Sequence, residues 1–402
     1  MRKLITVEDA ESRVREVNAN FGTEQVPVAE SAGRILRQSV LAERDLPPFD
    51  RVMMDGIAID HASWESGCRE FLIRGEAPAG KPRQTLNDKE GCIEVMTGSV
   101  MPVGCNSVIP VERISITNGR ARIESGFQPE PDKFTHQRGS DHRSGARLLE
   151  SGTRLSGPEA AVAAAAGLSE VTVSTLPEVG VISIGDELVE PGGKILDHQI
   201  RRSNDYGIEV ATRIRRAGTV TRVFVSDDRD SMIRIIGERL EASDALVLSG
   251  GVSMGRYDHV PAVLDALGIR LIFHKVSQRP GRPMWFGCSG EDKPVFALPG
   301  NPVSATVCLS RYVLPALERG MGMLEEPARW ARLARDVSFA PDLTLFLPVR
   351  VLYDSEATLM AEPRSPNTSG DFASLAGTDG FVELPRGRRE FDAGFVARFW
   401  PW

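Results

Sequence analysis

Cysteine is scarce in this sequence, with five residues in 402 (Cys68, Cys92, Cys105, Cys288 and Cys308), and no two form a Cys-x-x-Cys pair. That excludes the common zinc and dithiol redox motifs and leaves reduced, mostly structural thiols. No apolar run approaches the length of a bilayer span, and the N-terminal stretch MRKLITVEDAESRVREV turns acidic before a signal-peptide core forms. The expectation is a cytoplasmic protein without a membrane partner. An excess of positive charge is also missing. The formal net charge is −7, which argues against a general nucleic-acid surface, so any anionic ligand must be held by a local cluster. No internal repeat or low-complexity tract is present. What remains, 41% hydrophobic and 26% charged residues, describes an ordinary globular chain long enough for roughly two to four domains.

Along the chain, Thr6 with Asp9 resembles a capping box before Val7, Ala10, Val14 and Val17 at helical spacing. Short apolar runs then end at Pro47-Pro48. From Phe49 to about Asp141 brief β-type runs between Gly, Pro and Asn predict a small β-rich domain. Arg143 to Leu155 suggests a hairpin, and Gly157-Pro158 opens an Ala-rich helix closed by Gly167. From Glu178 strand and helix alternate, with helices expected over 204–217, 231–242, 258–267 and 302–318, so the fold class is α/β with a mostly parallel sheet. Ligands gather beyond the carboxyl ends of strands in such sheets. After about Pro327 the pattern returns to strands of a small barrel or sandwich.

Several polar loops follow predicted strands of the α/β region. Asp244–Leu264 carries Ser249-Gly250-Gly251, whose glycines admit close approach of backbone N–H groups to a phosphate, and then Ser253 and Asp258; such a turn is also an ordinary α/β connection. Gly185-Asp186-Glu187-Leu188 sets two carboxylates side by side, which suits a hard cation such as Mg²⁺ or a solvated turn. Ser226-Asp227-Asp228 precedes a helix, where capping by an acid is sufficient explanation. Pro299-Gly300-Asn301-Pro302 with Ser304 makes a second amide-rich helix mouth. Lys275, Arg279 and Arg282 put three cations in eight residues, stiffened by Pro280-Gly281 and Pro283, fit for an oxyanion or for a solvated face. In the β-rich region Asp55 of MMDGIA and Thr97 of MTGS stand among apolar residues, and a turn before glycine accounts for the acid equally well.

Taken together, MMDGIA (Met53 to Ala58), MTGS (Met96 to Ser99), GDEL (Gly185 to Leu188), SGGVSMGRYD (Ser249 to Asp258), RPGRP (Arg279 to Pro283) and LPGNPVSA (Leu298 to Ala305) resemble the molybdopterin molybdenumtransferase family, to which the gephyrin E domain belongs. The resemblance covers nearly the whole chain in the family's motif order. It implies a homodimer and a multi-domain fold: an N-terminal helix (1–22), a small α+β domain (23–48 and 142–176), an inserted β-rich domain (49–141), a molybdopterin-binding α/β domain (177–326) and a C-terminal β-barrel (327–402). It implies hydrolysis of adenylyl-molybdopterin with transfer of molybdate to the dithiolene, helped by Mg²⁺, and admits transient contact with the molybdopterin adenylyltransferase.

Residue by residue, the resemblance assigns the metal to Glu187, Asp258 and Asp186, and catalytic roles to Asp55, Thr97, Asp228 and Asp258. Asp55 and Thr97 would come from the partner subunit. Lys275, Arg279 and Arg282 would bind phosphate or molybdate, while Ser249, Gly250, Gly251, Ser253, Pro299, Gly300, Asn301, Pro302 and Ser304 would line the substrate cleft. The chain departs from the family where arginines replace the lysines of its Lys-Pro-Gly-Lys-Pro, where Ile57 replaces Tyr and Ile184 replaces Thr, and where Arg350 stands one residue out of register. Two other readings compete with the metal-inserting enzyme. One is a non-catalytic pterin carrier or scaffold. The other is an adenylyltransferase-like nucleotidyltransferase, against which MMDGIA and the β regions on both sides argue.

Overall fold

The computed structural model describes residues 4–252, 259–290 and 292–402, which divide into two compact units. The first comprises residues 1–38, 151–157 and 170–402, and the second residues 39–150 and 158–169. Among the described residues no helix is long and apolar enough to cross a membrane.

The first unit is built on a six-stranded sheet in the order Thr219–Val225, Glu178–Ile184, Ala245–Ser249, Pro294–Leu298, Trp285–Cys288, Arg270–His274. The first four strands are mutually parallel, while Trp285–Cys288 runs antiparallel to both its neighbours. The expected mostly parallel sheet is therefore present, with one added antiparallel strand. Met284 to Cys288 is too short a run, broken by Gly287, to announce itself as a strand. Its effect is to turn residues 275–283 into a loop at the sheet's carboxyl edge.

Helices cover this sheet on both faces and divide the core into two clusters, one around Val181, Val247 and Phe296, the other around Ile182, Leu248 and Ala297. Successive residues of each strand point to opposite faces, so buried strands read as continuous apolar runs rather than alternating ones. The first helix, Val7–Arg15, is capped as expected: the Asp9 N–H donates to Thr6 Oγ1 over 3.1 Å, and Val7, Ala10 and Val14 are buried against the sheet's core. The helix expected over 258–267 is observed as Val260–Ala266, and that over 302–318 runs from Pro302 to Gly320 through a π-helical turn at Leu309–Val313.

The C-terminal strands Arg329–Leu333, Thr344–Tyr353, Leu359–Pro363, Gly380–Leu384 and Val396–Pro401 close into a five-stranded barrel. Closure leaves no free edge within the ring. A short sixth strand, Gln278–Arg279, pairs in parallel with Thr344 and Leu345 on the barrel's outside.

The second unit holds a six-stranded sheet in the order Ser107–Pro110, Gly56–Ile59, Gly91–Val95, Glu70–Ala77, Arg120–Ile123, Ile114–Thr117, with cores on both faces. The hairpin suggested for 143–155 does not form. Arg147–Leu149 instead pairs antiparallel with Val40–Leu41, distant in sequence, and Gly145 and Ala146 bond to Ala42.

Candidate active site

The carboxyl ends of five strands of the first unit's sheet release loops that surround a cleft of about 1060 Å³. Two glycine loops form its floor. Gly250 has φ 104°, and a Cβ there would come within 2.4 Å of Ile184 O; the Gly300 loop lies beside it, a Cβ at Gly300 reaching Gly250 Cα at an ordinary contact distance of 3.6 Å. At Gly250 only a residue without a side chain fits this approach. Asn204, the first residue of the helix Asn204–Ile214, joins them: its Nδ2 donates to Ser249 Oγ and to Gly300 O, both over 2.8 Å.

One wall is acidic. Glu187 lines the cleft with its carboxylate folded over Gly185, where a Cβ would lie 2.5 Å from Oε2, and Asp227 stands beside it in the lining. Asp227 is fixed by a reciprocal clasp: its N–H donates to Asp186 Oδ1 (3.1 Å) and its Oδ2 accepts from the Asp186 N–H (3.3 Å). Ser183 Oγ, also in the lining, is buried and has no hydrogen-bond partner among the described residues. Asp228 does not line the cleft. It is the N-cap of the helix Arg229–Ala242, accepting from the Ser231 N–H over 2.8 Å, and its bonds to Ser231 hold its carboxyl below the ordinary range.

The other wall is cationic. Arg279 and Arg282 are exposed on the cleft, and among the described residues neither forms an ion pair. Their loop is anchored from below. Gly281 has φ 89°, and a Cβ there would meet Cys308 Sγ at 2.5 Å, while the fully buried Gln278 accepts from Tyr312 Oη over 2.5 Å. Lys275 stays outside the lining, with its backbone N–H donating to Met284 O.

At the remaining side Asn301 caps the helical run from Pro302, and its Nδ2 donates to Ser369 Oγ over 2.7 Å. Pro299, Gly300, Pro302, buried Ser304, Ser249 and Gly251 complete this lining. Ser253 and Asp258 lie outside the described residues. In the second unit, Asp55 Oδ1 accepts from the Thr97 N–H (2.6 Å) and from Thr97 Oγ1 (2.8 Å), and these two bonds, the backbone one foremost, hold the Asp55 carboxyl below its ordinary value. Arg350 is exposed on its barrel strand opposite Glu362.

Sequence reasoning overlooked Arg201, Arg202 and Asn204 on one side of the cleft and Ser369, Gly370 and Phe372 on another. The first group carries a signal in the pair Arg201-Arg202 directly before a helix. Arg202 is itself held at 2.9 Å from both Glu190 and the fully buried Asp205. The second group lies in a loop between barrel strands, with no local pattern that announces it.

Comparison with known proteins bears directly on this arrangement. Residues 5–167 match the family model described as the MoeA N-terminal region (domain I and II), residues 180–319 the "Probable molybdopterin binding domain", and residues 330–402 the MoeA C-terminal region (domain IV). The chain is 40% identical to the molybdopterin molybdenumtransferase of Synechocystis sp. over 384 residues, covering 95% of this chain and 96% of that protein.

The chain belongs to the molybdopterin molybdenumtransferase family.

A second member of the molybdopterin molybdenumtransferase family, from Bacillus subtilis, is 28% identical across 100% of this chain and 97% of its own length. The crystal structure of the molybdopterin biosynthesis MoeA protein from Pyrococcus horikosii superposes with a TM-score of 0.83 at 28% identity, covering 99% of both chains. The segment matching the molybdopterin-binding model supplies every cleft residue named above except Ser369, Gly370 and Phe372, which come from the MoeA C-terminal region. Molybdenumtransferase-family membership thus accounts for the motifs in both units and for the barrel.

Proposed function

We propose that this chain carries out molybdenum insertion in molybdenum cofactor biosynthesis, hydrolysing adenylyl-molybdopterin in a Mg²⁺-dependent step and transferring molybdate to the pterin dithiolene. The observation that carries the reading is that one cleft is lined by Glu187 and Asp227, from loops at one end of the strand order, and by Arg279 and Arg282, from the loop at the other end, which among the described residues have no acidic partner. Two substrates of like charge need such an arrangement. The two guanidiniums suit molybdate or a phosphate, each able to present two parallel N–H donors to two oxygens. The amide-rich mouths at Gly250-Gly251 and Gly300-Asn301 suit the nucleotide end.

The donor set also fits Mg²⁺. Among the described residues no group of three His, Cys, Asp or Glu side chains gathers around a point. Mg²⁺ needs none, since it is usually held by one or two carboxylates with water and substrate phosphates completing the shell. Glu187 would hold it, with Asp227 adjoining and Asp186 positioning Asp227; Asp258, outside the described residues, is the further ligand indicated by the sequence motif. When bound, the ion neutralises phosphate charge and polarises the phosphoryl group. The chain's own groups fix the rest: Asn204 holds the two glycine loops at one separation, and Arg279 and Arg282 hold the oxyanion opposite. The protein acts in the cytoplasm as a homodimer, receiving its pterin nucleotide from a molybdopterin adenylyltransferase.

The test is insertion of molybdate into adenylyl-molybdopterin with Mg²⁺ present. Glu187→Gln should lower kcat by about a hundredfold, as expected for loss of a metal-holding carboxylate, while binding of adenylyl-molybdopterin changes little. Wild-type protein that binds the substrate but never turns it over, or a Glu187→Gln variant of unchanged kcat, overturns the assignment.

A further inference from the structure

A second cavity, of about 550 Å³, shares no lining residue with the cleft. It opens among the first helix, the C-terminal end of the helix Asn204–Ile214, the helix Leu314–Gly320, the connector 323–329 and the last barrel strand. The helix Asn204–Ile214 thus begins at the cleft and ends at this cavity, about 16 Å away at 1.5 Å per residue.

The lining holds eight arginines and four glutamates, an excess of four positive side-chain charges. Three of the glutamates are spent on particular partners. Glu318, almost wholly buried, is divided between Arg154 and Arg215, each at 2.7 Å. Arg15 takes Glu325 at 2.8 Å and shares Glu11 with Arg311, which reaches it at 2.5 Å and also lies 3.1 Å from Glu383. The fourth glutamate, Glu326, lies 3.6 Å from Arg329, and three arginines remain. Among the described residues, Arg319 donates to a carbonyl, Val14 O, over 2.7 Å, and Arg216 Nε donates to Ala32 O over 3.2 Å; neither forms an ion pair. Arg398 is 3.9 Å from a Glu11 oxygen already bonded to Arg311, and its guanidinium lies over the Trp400 ring at 4.0 Å.

Removing cations from water without pairing them is costly, and the molecule shows the cost. Burial, reinforced by the neighbouring Arg15, holds Arg319 below the ordinary arginine range, and burial together with Arg311 does the same to Arg398. Apolar side chains, among them Val14, Pro315 and Leu324, line the cavity between these charges, so it offers contact to carbon as well as to oxygen.

We infer that this cavity is a second ligand site, for a small organic or inorganic polyanion, a polycarboxylate or a phosphate compound, held by Arg216, Arg319 and Arg398. Its volume exceeds what a single oxyanion needs, and its charge excess matches a ligand with several anionic groups. The assignment is independent of the chemistry proposed for the cleft.

Isothermal titration of the full chain with citrate and, separately, with pyrophosphate at constant ionic strength tests it, using an Arg279→Gln/Arg282→Gln background so that anion uptake by the cleft's two arginines does not contribute. One saturable site per chain is expected for at least one of the two probes, and the tighter one identifies the ligand source. Arg319→Gln and Arg398→Gln should each weaken that site by about tenfold or more, the usual worth of a charge-assisted hydrogen bond. Arg216→Gln, at an exposed position, carries the same expectation where either of the other variants fails to fold. Absence of saturable binding by both probes overturns the inference, as does a site whose affinity none of the folded arginine variants alters.

Discussion

Asn204→Ala is the most informative single perturbation of the cleft, because it changes nothing that touches substrate through charge yet removes the tie between two loops. Asn204 Nδ2 makes two hydrogen bonds of 2.8 Å, to Ser249 Oγ and to Gly300 O. Each contributes about 1 kcal/mol net in a partly buried setting, so their loss amounts to about 2 kcal/mol. Because both bonds span the separation of the glycine loops, the deficit falls on substrate positioning. At 1.36 kcal/mol per factor of ten, kcat/KM for molybdate insertion should drop by about thirtyfold. Asn204→Asp sharpens the test: it keeps the shape, removes the N–H donors and turns a carboxylate oxygen toward the Gly300 carbonyl, so it should be at least as impaired. The assay is steady-state turnover of adenylyl-molybdopterin beside a circular-dichroism melt of each variant. An Asn204→Ala protein that melts like wild type and retains kcat/KM within threefold would refute the reasoning.

Two glycines of the same floor should respond oppositely to alanine. Gly250→Ala forces a Cβ within 2.4 Å of Ile184 O at φ 104°, which should cost about 2 kcal/mol or more in guanidinium denaturation, whereas Gly300→Ala meets only an ordinary 3.6 Å contact and should leave the midpoint nearly unchanged; equal midpoints for the two variants contradict the geometry. Cys92 and Cys308 are fully buried, and burial pushes both thiols up to about 12, so iodoacetamide at pH 8 should leave both unmodified in the native protein and label them only in denaturant. Rapid native labelling of Cys308 would show that the Gly281 loop does not seal it.

Much of the fold was legible because several signals agreed. Thr6 and Asp9 announced a helix start that the structure forms with that very bond, and the apolar runs at 179–184, 245–248 and 295–298 emerged as neighbouring central strands. Motif glycines marked where loops approach, since a Cβ at Gly250 has nowhere to go. Other parts were hidden for physical reasons. Trp285–Cys288 is four residues long and defined by its neighbours on both sides, so its strand character is a tertiary property. Arg147–Leu149 finds its partner at Val40–Leu41 rather than nearby, and sequence gives no register for so distant a pairing. At the site, composition marks Asp227 and Asp228 equally, yet one lines the cleft and the other caps a helix. Which of two adjacent side chains faces a ligand is decided by one step of backbone rotation.

The pairing of Gln278–Arg279 with Thr344 and Leu345 has a consequence for how such a chain can be taken apart. The family models divide it at residues 319 and 330, and by that division the barrel is a module appended after the binding domain. The hydrogen-bonded ladder ignores that seam, because the strand that carries Arg279 is templated by the barrel. A segment cut at the sequence boundary would keep the cationic residues but lose the scaffold that sets their spacing. Replacing the barrel by another would change the setting of the Arg279 strand without altering a single cleft residue between 180 and 319.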